Sequence, residues 1–237
     1  MKVTYIGHSG FLVEWETCYW LFDYYLGTIP KMDAVKRKFV FVSHKHSDHF
    51  NSRVFELYHN YTDVVYVLSS DIEASQVDPL IAKSIVFVES GKQYELHDGR
   101  RGEISLKTLE STDCGVAFVL RYLGKTVYHA GDLNLWVWKE ETKRYNDEMT
   151  TMFNEQIAAL KDVLVDVAFV PLDPRQEEFY YRGMESFLNT TNARYVFPMH
   201  FGTEYSIIDR YKRERANPGG AQIMSISRAG QEWNIDV

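Results

Sequence analysis

A cluster of histidines and one aspartate directly follows an apolar run in the first quarter of the chain. Residues 39–42 read Phe-Val-Phe-Val, a continuous apolar sequence typical of strands that are buried on both faces of a sheet. Residues 44–49 then read His-Lys-His-Ser-Asp-His. Loops that follow buried strands lie at the carboxyl edge of an α/β sheet, where such sheets usually bind their ligands. The pattern therefore predicts a functional site at a sheet edge.

The spacing of this motif divides four potential metal ligands into two pairs. His44 and His46 are two residues apart, so in an extended segment both side chains point to one side. Asp48 and His49 are adjacent and point differently once the chain turns toward its next helix. Two pairs suit two neighbouring ions, and imidazole with carboxylate fits zinc, with manganese or iron as alternatives. The other reading is a polar surface loop, but this pattern arises by chance in only about one chain in two thousand.

The composition excludes several other classes of protein. The chain has 237 residues, of which 45% are hydrophobic and 15% aromatic, enough for the core of one large domain. Its net charge of −7 disfavours a dedicated nucleic-acid binder. Only two cysteines are present, too few for a secreted disulfide framework, and we find neither a signal peptide nor a long apolar run. We therefore expect a cytoplasmic globular protein that is not inserted in a membrane.

Short apolar runs and turn signals alternate with helical segments along the chain. The order is meander, helices, meander, helices, which predicts two similar halves packed sheet against sheet with helices outside. The predicted strands cover residues 3–6, 11–15, 18–22, 39–42, 64–68, 85–88, 104–107, 116–120, 126–128, 167–170, 195–197 and 224–226.

One segment in the second half looks entirely helical. Residues 134–161 contain neither glycine nor proline and carry spaced aromatic and aliphatic residues, which predicts a long, partly amphipathic helical insertion. Trp136 and Trp138 lie two residues apart in this segment, so on a helix their indoles should point apart.

Four further motifs give the chain a resemblance to a known family. Residues 5–11 read Tyr-Ile-Gly-His-Ser-Gly-Phe, residues 22–23 Phe-Asp, residues 128–132 Tyr-His-Ala-Gly-Asp, and residues 198–201 Pro-Met-His-Phe. Together with the histidine motif they resemble the metallo-β-lactamase fold superfamily, more narrowly a branch of small bacterial metal-dependent hydrolases related to L-ascorbate-6-phosphate lactonase. The resemblance implies one α/β domain over residues 1–237, a four-layer αββα sandwich of two mixed β-sheets with helices outside.

The resemblance also implies a set of metal ligands drawn from these motifs. The implied ligands are His44 and His46 for the first ion, Asp48, His49 and His200 for the second, and Asp132 as a bridge between both.

One position departs from the pattern of the family. Thr112 stands where the family has a third histidine of the first site, and a threonine hydroxyl is a poor zinc ligand. We expect Asp113 to supply an oxygen instead; a thiolate from Cys114 and a weak first site are the alternatives. An oxygen ligand would shift the preference of the first site toward harder ions.

Four residues outside the ligand set are candidates for supporting roles. Asp23 ends a predicted strand and could accept a hydrogen bond from the non-ligating nitrogen of a metal-bound histidine, or be an ordinary turn residue. His8 lies in a Gly-His-Ser-Gly turn, either near the site or without function. Trp136 could wall the substrate cleft. Arg175 could pair with an anionic substrate group, its alternative being an exposed loop arginine.

These observations predict a metal-dependent hydrolase. The resemblance implies a metal-bound hydroxide that attacks an ester, lactone, amide or phosphodiester, with Asp48 and Asp132 as the catalytic carboxylates. We expect a small anionic substrate rather than nucleic acid, because the net charge is −7 and no basic domain is appended. The alternative is a non-catalytic metal-binding or sensing protein, in which Thr112 marks a degenerate first site.

Overall fold

The chain builds two seven-stranded sheets, the first from residues 2–88 together with a strand near the C-terminus, the second from residues 93–223. The computed structural model describes residues 1–73, 75, 77, 79–100, 102–215 and 219–236. In spatial order the first sheet contains β14 (Glu232–Asn234), β1 (Lys2–Gly7), β2 (Gly10–Glu14), β3 (Cys18–Phe22), β4 (Arg37–Val42), β5 (Val64–Ser69) and β6 (Ile85–Val88). The second sheet contains β13 (Gln222–Ile223), β12 (Asn192–Met199), β11 (Leu164–Pro171), β10 (Lys125–His129), β9 (Val116–Tyr122), β8 (Glu103–Glu110) and β7 (Gln93–His97).

Both sheets are mixed and repeat one plan. In the first sheet, β1 to β3 form an antiparallel meander, and β3 to β6 are parallel. In the second sheet, β7 to β10 form the meander, and β10 to β13 are parallel. The prediction of two similar halves, each a mixed sheet, is confirmed. The carboxyl ends of the parallel strands lie at one edge of each sheet, which is where functional side chains can gather.

Strand β4 is buried on both faces, as its continuous apolar sequence predicts. Phe39 and Phe41 belong to the main core cluster, which fills the space between the sheets. Val40 and Val42 point the other way, into a second cluster on the outer face of the first sheet. Side chains of a strand alternate between faces, so a strand between two apolar layers needs apolar residues at every position.

Helices cover the outer faces of both sheets. The structure has α1 (Leu57–Asn60), α2 (Lys143–Ala158), α3 (Arg182–Thr190) and α4 (Ser206–Glu214). The 3₁₀ helix Ser52–Glu56 and α1 pack on the first sheet through residues such as Val54 and Leu57. The predicted αββα layering is confirmed. None of the helices among the described residues is long and apolar enough to span a bilayer.

The prediction of a helix over residues 134–161 is wrong at its start. Helix α2 begins at Lys143, after Thr142 caps its amino end, and residues 134–142 are not helical. The indole nitrogen of Trp136 donates to the carbonyl of Asp132 (2.9 Å), which holds this stretch against the end of β10. As a result Trp136 and Trp138 do not point apart; their rings stack with centroids 6.0 Å apart.

The prediction of a strand at residues 224–226 is also wrong. The strand in this region is β13, only two residues long, and it ends at Ile223. Met224 and Ile226 are both buried, so these apolar residues do pack against the core. They are not part of a strand, since β13 pairs with β12 over two residues only.

The turn between β8 and β9 closes the second sheet onto the first. The N–H of Val116 donates to the carbonyl of Ser43 (2.9 Å), at the carboxyl end of β4. Gly115 beside it has φ +67°, and a Cβ at this position would lie 2.0 Å from the Ser43 oxygen. Only glycine combines this backbone conformation with so close an approach.

We predict that Gly115→Ala destabilises the protein far more than Gly91→Ala. Both glycines have φ +67°, so both variants carry the left-handed penalty of roughly 1–2 kcal/mol. A Cβ on Gly91 would meet nothing within 4 Å, whereas that on Gly115 would overlap a backbone oxygen. Overpacking of this kind should cost about 1–3 kcal/mol more. Urea unfolding at neutral pH measures the difference, and equal losses in the two variants would contradict this account.

Candidate metal centre

Side chains from both sheets converge at the carboxyl edge of the sandwich. The first sheet contributes His8 after β1, Asp23 after β3 and residues 43–49 after β4. The second sheet contributes Asp132 just after β10 and His200 after β12. Parallel strands end at the same edge, so motifs far apart in the sequence come together there.

The titratable side chains at this edge form two groups of potential metal ligands. Within each group the donor atoms lie within 4.8 Å of one another. The first group contains His44, His46, Asp113 and Asp132, and the second contains His8, Asp48, His49 and His200. All seven residues predicted as ligands fall into these two groups, and His8 joins them.

The carboxylate of Asp132 lies between the groups. Its Oδ1 is 3.1 Å from Nε2 of His49 and 3.3 Å from Nε2 of His200. Its Oδ2 faces the other way, 3.5 Å from Nε2 of His44. One oxygen thus faces each group, the arrangement that a bridging carboxylate needs.

The donor atoms facing this centre are left without hydrogen bonds. Nε2 of His44, His49 and His200 and Oδ1 of Asp132 are all buried, and among the described residues their close contacts, between the three nitrogens and the Asp132 carboxylate, lack hydrogen-bond geometry. Buried polar atoms are nearly always paired, because leaving one unpaired costs free energy. Imidazole nitrogens and a carboxylate that converge without partners fit a bound cation, so the residues present suit a metal ion.

Two buried carboxylates, one following a strand of each sheet, contact the ring nitrogens of His49 and His200 that face away from the centre. Asp23 lies 2.8 Å from Nδ1 of His49, as expected of an acceptor at the end of β3. Asp173 plays the same part for His200, with a distance of 2.9 Å to Nδ1. Such contacts fix the tautomer and turn Nε2 toward the centre. Sequence reasoning missed this role of Asp173; its position just after β11, matching that of Asp23 after β3, is the signal that could have found it.

Ser43 is a second residue whose part sequence reasoning missed. Its N–H and hydroxyl both donate to Asp23, over 2.8 and 2.6 Å. The same hydroxyl oxygen lies 2.9 Å from Nδ1 of His44. The orientations of His44 and His49 are therefore linked through Asp23 and Ser43.

Thr112, at the position where the family has a histidine, forms hydrogen bonds with the backbone. The Thr112 hydroxyl donates to the carbonyl of Asn134 and accepts from its N–H (3.1 Å), so it is engaged with the backbone. Asp113 Oδ2 lies 3.5 Å from Nδ1 of His46, and Cys114 Sγ lies 3.8 Å from Nε2 of the same ring. Burial and the nearby Asp113 raise the pKa of the Cys114 thiol, which disfavours the thiolate. The structure brings Asp113 into the first group, and its ligation stays a prediction.

The buried charges of the centre depend on one another. Burial disfavours a charged imidazole, yet the carboxylates of Asp132 and Asp23 raise the pKa of His49 to about 10. Burial likewise opposes ionisation of Asp132, but His49 and His200 hold the pKa of this carboxyl well below its usual range. In the metal-free chain a proton on His49 therefore supplies positive charge at the centre.

Three residues at this edge have strained backbones. His8, Asp23 and His200 have φ of 53°, 40° and 65°, and they are three of the five non-glycine residues with positive φ in the described chain. Each is the first residue after a strand. Strain of this kind gathers at functional sites, where packing enforces a conformation that the backbone alone disfavours.

A cavity of about 200 Å³ opens beside the first group. It is lined by Thr112, Asp113, Asp132, Trp136, Trp138, Tyr145, Met149 and Arg175. Trp136 and Arg175, the two residues expected to face a substrate, both line this cavity, and their contact with a substrate stays a prediction. Arg175 is held by Asp173, whose carboxylate accepts from its Nε over 2.9 Å, and this contact raises the pKa of the guanidinium.

Comparison with known proteins gives consistent matches along the chain. Residues 2–200 match the family described as the beta-lactamase superfamily domain. The chain is 25% identical to a UPF0173 metal-dependent hydrolase of Carboxydothermus hydrogenoformans, covering 86% of this chain and 85% of that protein. It is 29% identical to a UPF0173 metal-dependent hydrolase of Opitutus terrae, covering 87% of each.

Solved structures share the fold. Igni18, a metallo hydrolase from the archaeon Ignicoccus hospitalis, aligns over 99% of both chains with a TM-score of 0.66 at 21% identity. CmlA, a diiron β-hydroxylase from Streptomyces venezuelae, aligns over 98% of this chain and 53% of its own, with a TM-score of 0.60 at 14% identity. At these identities the likeness establishes the architecture alone.

We predict that protonated His49 stabilises the metal-free fold. Its pKa in the folded chain, about 10, lies above the unfolded value of about 6.5. Its contribution is therefore complete below pH of about 6.5 and is lost as the pH rises through 10. In chelator-treated protein, the unfolding free energies of wild type and His49→Gln should converge between pH 6 and pH 10.

Urea titrations at several pH values measure this convergence. His59→Gln is the control, because His59 is an exposed histidine of α1 that belongs to neither ligand group. A difference between wild type and His49→Gln that stays constant from pH 6 to pH 10 would refute the assignment of a buried, protonated His49.

Proposed function

This chain belongs to the beta-lactamase superfamily domain family, and we propose that it is a hydrolase that uses two metal ions on a small anionic substrate. The observation that carries the proposal is the convergence of three buried, unpartnered Nε2 atoms on the two oxygens of Asp132. The names of the relatives, metal-dependent hydrolases, support the same class of reaction. A narrower link to L-ascorbate-6-phosphate lactonase stays a prediction.

Two ions would share the eight side chains of the two ligand groups. The first ion would be held by His44, His46 and Asp113, the second by His8, Asp48, His49 and His200, and Asp132 would contact both. When bound, divalent ions lower the pKa of a coordinated water toward neutrality and stabilise developing negative charge. The histidine-rich second group suits zinc, whereas the two carboxylates of the first group favour harder ions such as manganese or iron.

The residues around the centre would position an ester, lactone or phosphodiester. Asp48 is half-exposed, with its Oδ2 3.4 Å from Nε2 of His8, and this nearby imidazole holds the pKa of the carboxyl below its usual range. An ionised Asp48 can orient the attacking nucleophile by accepting its proton in a hydrogen bond. Trp136 and Trp138 line the cavity beside the first group and would limit the access of bulk water to a substrate bound there.

Arg175 supports the anionic character of the substrate. It is the only lysine or arginine among the described residues that line the cavity beside the first group. Asp173 fixes its Nε and Nη2, which leaves the rest of an exposed guanidinium to meet a carboxylate or phosphate. We retain a cytoplasmic location and a small-molecule partner as parts of this proposal, because the chain has two cysteines and a net charge of −7.

We predict that Asp132→Ala abolishes hydrolysis and leaves the fold intact. Without the carboxylate between the groups, neither ion would be held as before, and turnover of bis(p-nitrophenyl) phosphate and of simple lactones should fall at least about a thousandfold. Asp147→Ala is the control, because this exposed aspartate of α2 forms an ion pair with Lys143 one turn away and belongs to neither ligand group. Circular dichroism checks that the variant keeps its fold, and metal analysis counts the ions that it binds.

The same experiment separates the two functional hypotheses. Unchanged turnover in Asp132→Ala would refute the assigned site. Wild-type protein that retains two ions and hydrolyses none of these substrates would instead favour the metal-sensing alternative.

A second prediction concerns the first ion. Asp113→Ala should lower the metal content of the purified protein by about one ion per chain, because it removes an oxygen donor from the first group. Cys114→Ser, the matched change at the neighbouring residue, should leave the content unaltered. Loss of one ion from Cys114→Ser, with no loss from Asp113→Ala, would instead identify Cys114 as the ligand of the first ion.

A further inference from the structure

A second cavity reaches the metal centre from the side of the second ligand group. Its volume is about 360 Å³, and its inner end is formed by His8 and Asp48. Its walls are largely aromatic and aliphatic and include Tyr5, Tyr25, Leu26 and Tyr205. The metal centre therefore lies between two cavities, which we call the arginine cavity (beside Arg175) and the tyrosine cavity.

Contacts at the inner end tie the tyrosine cavity to the reacting centre. The His8 ring packs against His200 with centroids 4.2 Å apart, and Nε2 of His8 is 3.4 Å from Asp48. The arginine cavity meets the centre at Asp113 and Asp132 instead. A substrate whose scissile bond lies over the centre would extend toward both cavities.

The two cavities differ in charge. Among the described residues that line the tyrosine cavity there is no lysine or arginine, and its one carboxylate, Asp48, belongs to the ligand group. An anionic group would find no charged partner along these walls. An uncharged apolar group would gain free energy there, because its transfer from water to an apolar surface is favourable.

Leu26 shows that this surface is incompletely covered. Its side chain lies over Gly7, where a Cβ would come within 3.2 Å of its Cδ1, yet the residue is 46% exposed. Exposed leucines are common singly, but this one adjoins three tyrosines at the mouth of a cavity that leads to the metal centre.

We propose that the tyrosine cavity binds an uncharged, apolar or aromatic group of the substrate. This inference rests on the proposed function and narrows its substrate class to amphiphilic molecules. The charged part lies toward Arg175, the scissile bond over the centre, and the neutral part between Leu26 and the tyrosines.

A binding experiment tests the cavity without requiring catalysis. The probe is N-phenyl-1-naphthylamine, a neutral aromatic amine that fluoresces when it leaves water, titrated into metal-free and metal-loaded protein. Wild type should bind it, and Leu26→Asp should bind it at least about tenfold more weakly, because a carboxylate then stands at the cavity mouth. Thr203→Trp, which fills the same cavity from an exposed lining position, should weaken binding as well.

The matched control is Leu164→Asp. Leu164 is 48% exposed, close to the value for Leu26, but it begins β11 at the edge of the sheet opposite the metal centre. This variant should bind the probe as wild type does. Failure of wild type to bind, or equal affinity in all four proteins, overturns the proposal.

Kinetics then connect the cavity to the reaction. Among alkyl p-nitrophenyl phosphates, kcat/KM should rise by up to about fourfold for each methylene added to the alkyl arm. Leu26→Asp should reduce the increase in kcat/KM with alkyl length, and Leu164→Asp should leave that increase unchanged. Probe binding that depends on Leu26 in a protein without hydrolytic activity would uphold the cavity and refute the proposed function. A series that Leu26→Asp leaves unchanged would refute the assignment of the cavity to the substrate.

Discussion

The backbone and side chain of Ser43 join the two sheets to the metal centre. Its carbonyl accepts the hydrogen bond that closes the β8–β9 turn onto the first sheet, and its hydroxyl meets both Asp23 and His44. Gly131, beside Asp132, also leaves no room for a Cβ against this serine. The same contacts of Ser43 therefore hold the two sheets together and orient the candidate ligands. A shift of one sheet against the other would change the orientation of these side chains.

Each sheet supplies the centre in the same way. A carboxylate just beyond a parallel strand, Asp23 in one half and Asp173 in the other, holds a histidine by Nδ1. Asp132 stands where the two contributions meet and faces both. Because orientation comes from buried residues at strand ends, the loops around the cavities can vary in sequence without disturbing the ligands.

The sequence predicts the frame of this protein well because its signals are local. An apolar run without polar breaks predicts β4. The family resemblance carried by the dispersed motifs, with Asp113 chosen over Cys114, named the seven residues that the structure gathers into the two ligand groups. Tertiary contacts decide the rest. Thr112 and Gln176, both remote in sequence, hydrogen-bond to the backbone of residues 134–137, which is held in this way instead of forming a helix. The parts played by Ser43 and Asp173 likewise depend on neighbours remote in sequence. Whether each grouped residue binds an ion stays a prediction.

The left-handed backbones of His8, Asp23 and His200 have a consequence for how ions are chosen. Such conformations cost roughly 1–2 kcal/mol per residue and persist only where the surrounding fold enforces them. That cost is met when the chain folds, before any ion arrives. A cradle held in this way would be set before any ion binds, and it would then discriminate between ions by how well their radius and preferred geometry match a fixed frame.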